Sequence, residues 1–141
     1  MRLSHLLVLS SAVLLVAPVL AGGGSHNTLT WDALNDNGPL KLESKYTERW
    51  GRQSTQQELQ IRLDGVAPGT PVHAQVNGVE LLPMTADNGG SCGSIYNFQS
   101  PRADGVRPAA NRRIDKGDVI RVYNLDANID VSAVYRVNGE P

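Results

Sequence analysis

Cysteine is almost absent from this 141-residue sequence, which contains only Cys92. A single cysteine cannot form an internal disulfide, so the domain has to be held together by apolar burial and strand pairing. Cys92 is either buried as a small apolar residue, which is the commoner fate, or exposed as a free thiol. An exposed thiol would make the protein a Cys92-linked dimer or an assembly subunit.

Long apolar runs are also scarce. The run Leu6–Ala17 has about a dozen residues, whereas a membrane-spanning helix needs ~20. It follows Arg2 and ends near the small residue Ala21, an arrangement typical of a secretory signal peptide. We therefore predict a signal peptide over residues 1–21 and export to the periplasm or the extracellular space. Because no second apolar run follows, no membrane span is expected after cleavage.

Neither sign of charge dominates the sequence. Without residues 1–21 the chain has 12 basic and 14 acidic residues, a formal charge of −2. Such a balance predicts neither nucleic-acid binding nor attraction to a membrane surface.

Motifs for metal binding and catalysis are missing as well. His26 and His73 have no Cys, His or carboxylate beside them at a metal-ligand spacing, so we expect no metal and no cofactor. There is no nucleophile elbow and no P-loop, and Cys92 with His73 is the only thiol–imidazole pair within the predicted domain. We predict a protein that is not an enzyme. The alternative is a small secreted enzyme that uses Cys92 or a carboxylate pair. Nothing in the sequence selects such a pair, because the carboxylates are expected on scattered outward or turn positions. They are Glu43, Glu48, Glu58, Asp64 and Glu80.

The clearest pattern in the sequence runs from Leu59 to Gly78. Apolar and polar residues alternate over Leu59–Leu63 and again over Val72–Val76, a period typical of half-buried strands. Between them, Val66–Thr70 contains the Pro-Gly pair of a type II turn. The pair Asn77-Gly78 fits a type I′ turn. We predict a central hairpin over residues 56–76, followed by a tight turn.

The same alternation recurs along the rest of the chain. It predicts about seven short strands, separated by turns, and no long helix. Residues 22–39 are predicted to be a flexible leader with a short turn or one-turn helix at Trp31–Gly38, residues 40–137 the domain, and residues 138–141 a tail. The other predicted strands are Leu40–Trp50, Val79–Thr85, Ser91–Phe98, Asp118–Asn124 and Ile129–Val137.

This pattern predicts an all-β domain. The favoured architecture is an antiparallel β-sandwich of about seven strands, immunoglobulin-like, and the alternative is a small β-barrel. The Cys…Trp…Cys pattern of true immunoglobulin domains is missing, so only the general architecture is predicted.

Turn motifs in the sequence carry a resemblance to a protein family. They are Tyr46–Arg49, Leu59–Thr70, Val76–Val79, Thr85–Gly89 and Lys116–Val122. In this order the chain resembles small exported bacterial β-sandwich proteins with the pattern GLxPGTxVxVxVNG, TADxxG and GDxVxV. The resemblance covers most of residues 40–137. It implies a fold and no activity.

The basic residues are unevenly placed. Five of them lie in the predicted long loop between Ser100 and Gly117, together with only two acidic residues. A basic loop on an acidic body is suited to a partner protein or an anionic surface ligand. We therefore predict a non-catalytic binding or structural surface module. Its candidate contact residues are Arg102, Arg107, Arg112 and Arg113.

Overall fold

The strands with alternating apolar and polar side chains form two antiparallel sheets in the computed structural model. The structure describes residues 27–51, 55–100 and 113–137, and for residues 96 and 98–100 the backbone only. Its strands are β1 (Asn27–Asn35), β2 (Lys41–Trp50), β3 (Thr55–Asp64), β4 (Pro71–Val76), β5 (Val79–Glu80), β6 (Met84–Thr85), β7 (Ser91–Ser100), β8 (Val119–Asn124), β9 (Ile129–Val134) and β10 (Arg136–Val137). No helix in these ranges is long and apolar enough to cross a membrane.

The strands are divided between a long sheet and a short one. Sheet 1 has the order β10-β1-β2-β3-β7, and sheet 2 has the order β5-β4-β8-β9 with β6 also paired to β4. Every described pairing is antiparallel. The prediction of an antiparallel β-sandwich is therefore confirmed. The described residues form ten strands rather than about seven, because β1 and the two-residue strands were not predicted separately.

The core lies between the two sheets and is mainly aliphatic. Ile61 and Val131, which the alternation placed inward, are both buried. Five large aliphatic side chains of the described residues have no exposed area, and each stabilises the fold by roughly 1.5–3 kcal/mol on burial. These are Leu42, Leu63, Val72, Ile120 and Val122.

Both turns have the predicted conformations, but the Pro68-Gly69 turn connects strands that belong to different sheets. Thr70 N donates to Ala67 O at 3.2 Å and Gly69 has φ +77°, as a type II turn requires. This turn leads from β3 in sheet 1 to β4 in sheet 2, so the predicted central hairpin is wrong. Asn77 and Gly78 both have positive φ and join β4 to β5 in the predicted type I′ hairpin.

The segment predicted to be a leader contains a strand. Asn27–Asn35 forms β1, which pairs with β2 along its whole length, so the turn or one-turn helix at Trp31–Gly38 is wrong. Ala33 is buried, and Leu29 and Trp31 pack against the core. Their burial against sheet 2 outweighs the turn preference of the Asn, Asp and Gly residues that follow.

The end of the described chain connects the two sheets. β9 belongs to sheet 2, β10 belongs to sheet 1, and Tyr135 lies between them with no exposed area. The Tyr135 hydroxyl and Ser44 Oγ of β2 lie 2.6 Å apart and share a hydrogen bond. Tyr135 N also donates to Asp118 O at 2.9 Å. Tyr135 therefore fixes the position of one sheet on the other.

Buried tyrosines should make the fold sensitive to alkali. Burial raises the pKa of Tyr46 and of Tyr135 above the ordinary value of 10.0. Above that pH the unfolded chain loses these protons while the folded chain keeps them, so the free energy of unfolding should fall as pH rises. Urea unfolding at several alkaline pH values should show this decline, and Tyr135→Phe should make it shallower. If the free energy of unfolding of Tyr135→Phe falls with pH as steeply as that of the wild type, Tyr135 does not contribute to the alkaline sensitivity.

Candidate functional site

One candidate site is the outer face of sheet 1. Residues of β2 and β3 that alternate with the core residues point to this side, because successive side chains of a strand face opposite ways. An open groove of about 1750 Å³ lies along it. Two cross-strand rows contribute to the groove. They are Leu34, Glu43, Arg62 and Gly93, and Asp32, Lys45, Gln60 and Ile95.

Opposite charges are paired across this outer face. Glu43 stands beside Arg62, and Lys41 Nζ lies 2.6 Å from Glu43 Oε1. Arg62 Nε donates to both oxygens of Asp64 at 3.0 Å. A hydrogen bond from Ser91 Oγ, together with Arg62, lowers the pKa of Asp64. The face is therefore polar and balanced in charge, which suits contact with another macromolecule better than proton transfer.

Two aliphatic side chains stand out from this polar face. Leu34 on β1 is 57% exposed, and Ile95 on β7 is 62% exposed. Gly93, two residues before Ile95, has no side chain, so the backbone of β7 is open beside it. Exposed aliphatic groups near charged residues are typical of contact surfaces, although single ones are common on any protein.

A second polar cluster lies on the outer face of sheet 2. The His73 and Tyr123 rings stack with their centroids 5.5 Å apart, and Arg121 Cζ lies 4.7 Å from the Tyr123 centroid. Arg121 also donates to both oxygens of Asp130, at 2.7 and 2.8 Å. The Tyr123 hydroxyl donates to Glu80. The polar groups of this cluster therefore bind one another.

The alternation alone did not identify this second cluster. Tyr123 and Glu80 are 43 residues apart, and they meet because β8 and β5 flank β4 in sheet 2. Only the outward position of His73 was predictable from the sequence. The strand order that brings it to Tyr123 was not.

The only thiol of the chain lies inside the sandwich. Cys92 is 3% exposed, and its Sγ–H donates to Leu63 O at 3.7 Å. Burial raises the pKa of this thiol and so disfavours the reactive thiolate. Cys92 points inward from sheet 1 while His73 points outward from sheet 2, so the fold does not bring the two together.

The interior of sheet 1 also contains a buried chain of polar groups. Glu48 has no exposed area, and Gln57 and Tyr46 are buried beside it. Gln57 Nε2 donates to the Tyr46 hydroxyl at 2.7 Å, and that hydroxyl donates to Glu48 Oε2 at 2.6 Å. Sequence analysis placed Glu48 outward or in a turn, so this part of the prediction is wrong. A carboxylate is stable inside the sandwich only with such partners.

The predicted arginine contacts fall mostly outside the described residues. Arg102, Arg107 and Arg112 lie there, as does His26. Arg113 is described, is partly exposed, and its Nε donates to Asp115 Oδ2 at 3.1 Å. The Arg113 charge is therefore paired with a neighbour.

Metal ligands are not grouped in the described part of the chain. No set of three His, Cys, Asp or Glu side chains there is placed to hold a metal ion. Comparison with protein-family models and with curated proteins found no match to this chain. The resemblance to small exported bacterial β-sandwich proteins therefore stays a prediction.

Proposed function

We propose that this chain is an exported, non-catalytic module that acts by binding or as a structural surface. The observation that carries the proposal is the placement of its one thiol. Cys92 is buried, the pKa of its thiol is raised, and His73 lies on the opposite side of the sandwich. A cysteine nucleophile needs access and an adjacent base, and this arrangement supplies neither.

The contact surface that we assign to the module is the outer face of sheet 1. It is charge-balanced, it borders an open groove, and it rests on strands that pair over nine or ten residues. A rigid sheet presents such side chains at low conformational cost, which favours recognition of another surface. The proposed partner is a protein or an anionic surface ligand, and Arg102, Arg107, Arg112 and Arg113 are proposed additional contacts.

Cys92 should react slowly with thiol reagents in the native protein. We expect Ellman's reagent to modify the folded chain at least about a hundredfold more slowly than the urea-unfolded chain, because reaction has to await an opening of the sandwich. Non-reducing electrophoresis should show a monomer.

A control for this labelling places a thiol on the surface. Ser132 is exposed on β9, so a Cys92→Ala, Ser132→Cys variant should react rapidly while folded. Fast labelling of native Cys92 at neutral pH would favour the enzyme alternative. A disulfide-linked dimer would favour the Cys92-linked assembly. Either result would contradict the proposal.

A further inference from the structure

Strand β7 forms one edge of sheet 1. It pairs with β3 along its whole length, from Asp64 opposite Ser91 to Thr55 opposite Ser100. In an antiparallel edge strand, every second residue directs its N–H and C=O away from the sheet. Asp87 N donates to Ser91 O at 2.7 Å, so the open part of this edge begins after Ser91. No described strand pairs with the far side of β7.

The other sheet edges of the described residues are short or capped. Strands β5, β6 and β10 have two residues each, too few to template a partner strand. Strand β9 has six residues, and one of its carbonyls, Ser132 O, accepts a bond from Asn35 Nδ2 at 2.8 Å. These are the usual ways in which proteins prevent edge pairing.

Within the described residues, strand β7 beyond Ser91 is neither short nor capped by a side chain. Its ten residues, SCGSIYNFQS, include no lysine, no other charge and no proline. Natural edge strands of this length usually contain such residues, since an open edge recruits other strands. The neutral sequence also removes any like-charge repulsion if two copies of β7 lie side by side.

We propose that β7 pairs antiparallel with β7 of a second copy of this chain, about a twofold axis at Ile95. This register places Ile95 opposite Ile95 of the second copy, with the two Cβ atoms roughly 4.5–5.5 Å apart. Each Ile95 side chain, 62% exposed in the single chain, then covers the other. The same register puts Gly93, which has no side chain, opposite Asn97.

Pairing of this kind joins the two copies of sheet 1 into one continuous sheet. The two outer faces then form a single surface with twice the contact residues, which raises the avidity for a repetitive or multivalent partner. That gain rests on the proposed function, whereas the pairing itself does not. Because a single strand pair makes a small interface, we expect a weak dimer with a micromolar dissociation constant.

Sedimentation equilibrium over a range of concentrations tests the pairing. The wild-type chain should dimerise reversibly, and Ile95→Lys should raise the dissociation constant at least about tenfold, because two lysines then face each other. The matched control is Leu34→Lys, which adds the same charge to the outer face of sheet 1 at β1. This control should dimerise like the wild type. Thermal unfolding should show that both variants fold.

A charge-swap experiment tests the register. Ile95→Lys and Ile95→Glu should each be monomeric alone and should associate when mixed, because only a twofold axis at Ile95 places the two charges together. A wild-type chain that stays monomeric would overturn the proposal, as would an Ile95→Lys variant that dimerises normally. No association in the mixture would overturn the register. All three outcomes are independent of Cys92 reactivity, which tests the proposed function.

Discussion

Gly65→Ala is expected to lower the free energy of unfolding by at least ~3 kcal/mol. Gly65 directly follows β3 and has φ +91°, a backbone conformation that costs a residue with a Cβ about 1–2 kcal/mol. A Cβ at this position would also collide with the carbonyl oxygen of Pro39. Because that oxygen is backbone, the collision can be relieved only by moving the chain.

The segment that would have to move is a junction of several hydrogen bonds. Gly65 N and Val66 N both donate to Gly90 O, at 3.1 and 3.0 Å. Displacing Gly65 would weaken both bonds and the start of the crossing from sheet 1 to sheet 2. The steric cost and the lost bonds therefore add to the conformational cost.

Gly69→Ala is the matched control for this prediction. Gly69 lies four residues later with φ +77°, and nothing lies within 4 Å of a Cβ built there. This variant should lose only the conformational cost, about 1–2 kcal/mol. Urea unfolding of both variants measures the difference. Equal losses would show that the contact with Pro39 has no energetic weight.

Glu48→Ala is expected to destabilise the protein by about 3 kcal/mol. The Glu48 side chain has no exposed area and accepts a bond from the Tyr46 hydroxyl. Removal of the carboxylate takes away that acceptor and leaves a cavity in a buried region. The Tyr46 hydroxyl, which also accepts from Gln57, then lacks an acceptor for its proton.

Glu43→Ala provides the control on the same strand. Glu43 points to the opposite side of β2, is partly exposed and pairs with Lys41. Exposed ion pairs contribute little, so this variant should lose less than about 1 kcal/mol. Glu48→Gln, which keeps the size and one acceptor oxygen, should fall between the two in urea unfolding. Equal stability of the two alanine variants would show that Glu48 makes no specific contribution.

The residue preferences of the turns predicted their types, but not which strands they connect. The Pro68-Gly69 and Asn77-Gly78 pairs determine backbone dihedrals that only a few residues allow, and both adopt the predicted type. The same dihedrals allow a turn to join paired strands or to cross between sheets. That choice depends on which strands pair with β4, and its partner β8 lies more than 40 residues away. Sequence spacing contains no information on such a pairing.

Strand β1 was missed although its pattern is present. Leu29, Trp31 and Ala33 alternate with polar residues, as in the strands that were predicted. The alternation is short and stands next to residues that favour turns, so local preference pointed the wrong way. Pairing with β2 and β10 decides the conformation instead.

The candidate site was predictable only in part. Burial of the single cysteine follows from the usual fate of an isolated thiol, and Cys92 conforms to it. The outer face of sheet 1 follows from alternation once β2 and β3 are recognised. The cross-strand rows of that face and the open edge at β7 depend on strand order, which period-two patterning does not specify.

The contacts of β1 with β9 and β10 join the two ends of the described chain, so they can form only after nearly the whole domain is available. Asn35, at the end of β1, donates to Ser132 across 97 residues of sequence, and β1 also pairs with the last strand. Closing so long a loop is entropically expensive and slow. On the export route that we propose, the amino-terminal strands would cross the membrane first, so β1 could pair with β2 but would still lack β10. The two sheets would then close on each other only late in export, and the polypeptide would stay incompletely folded until that point.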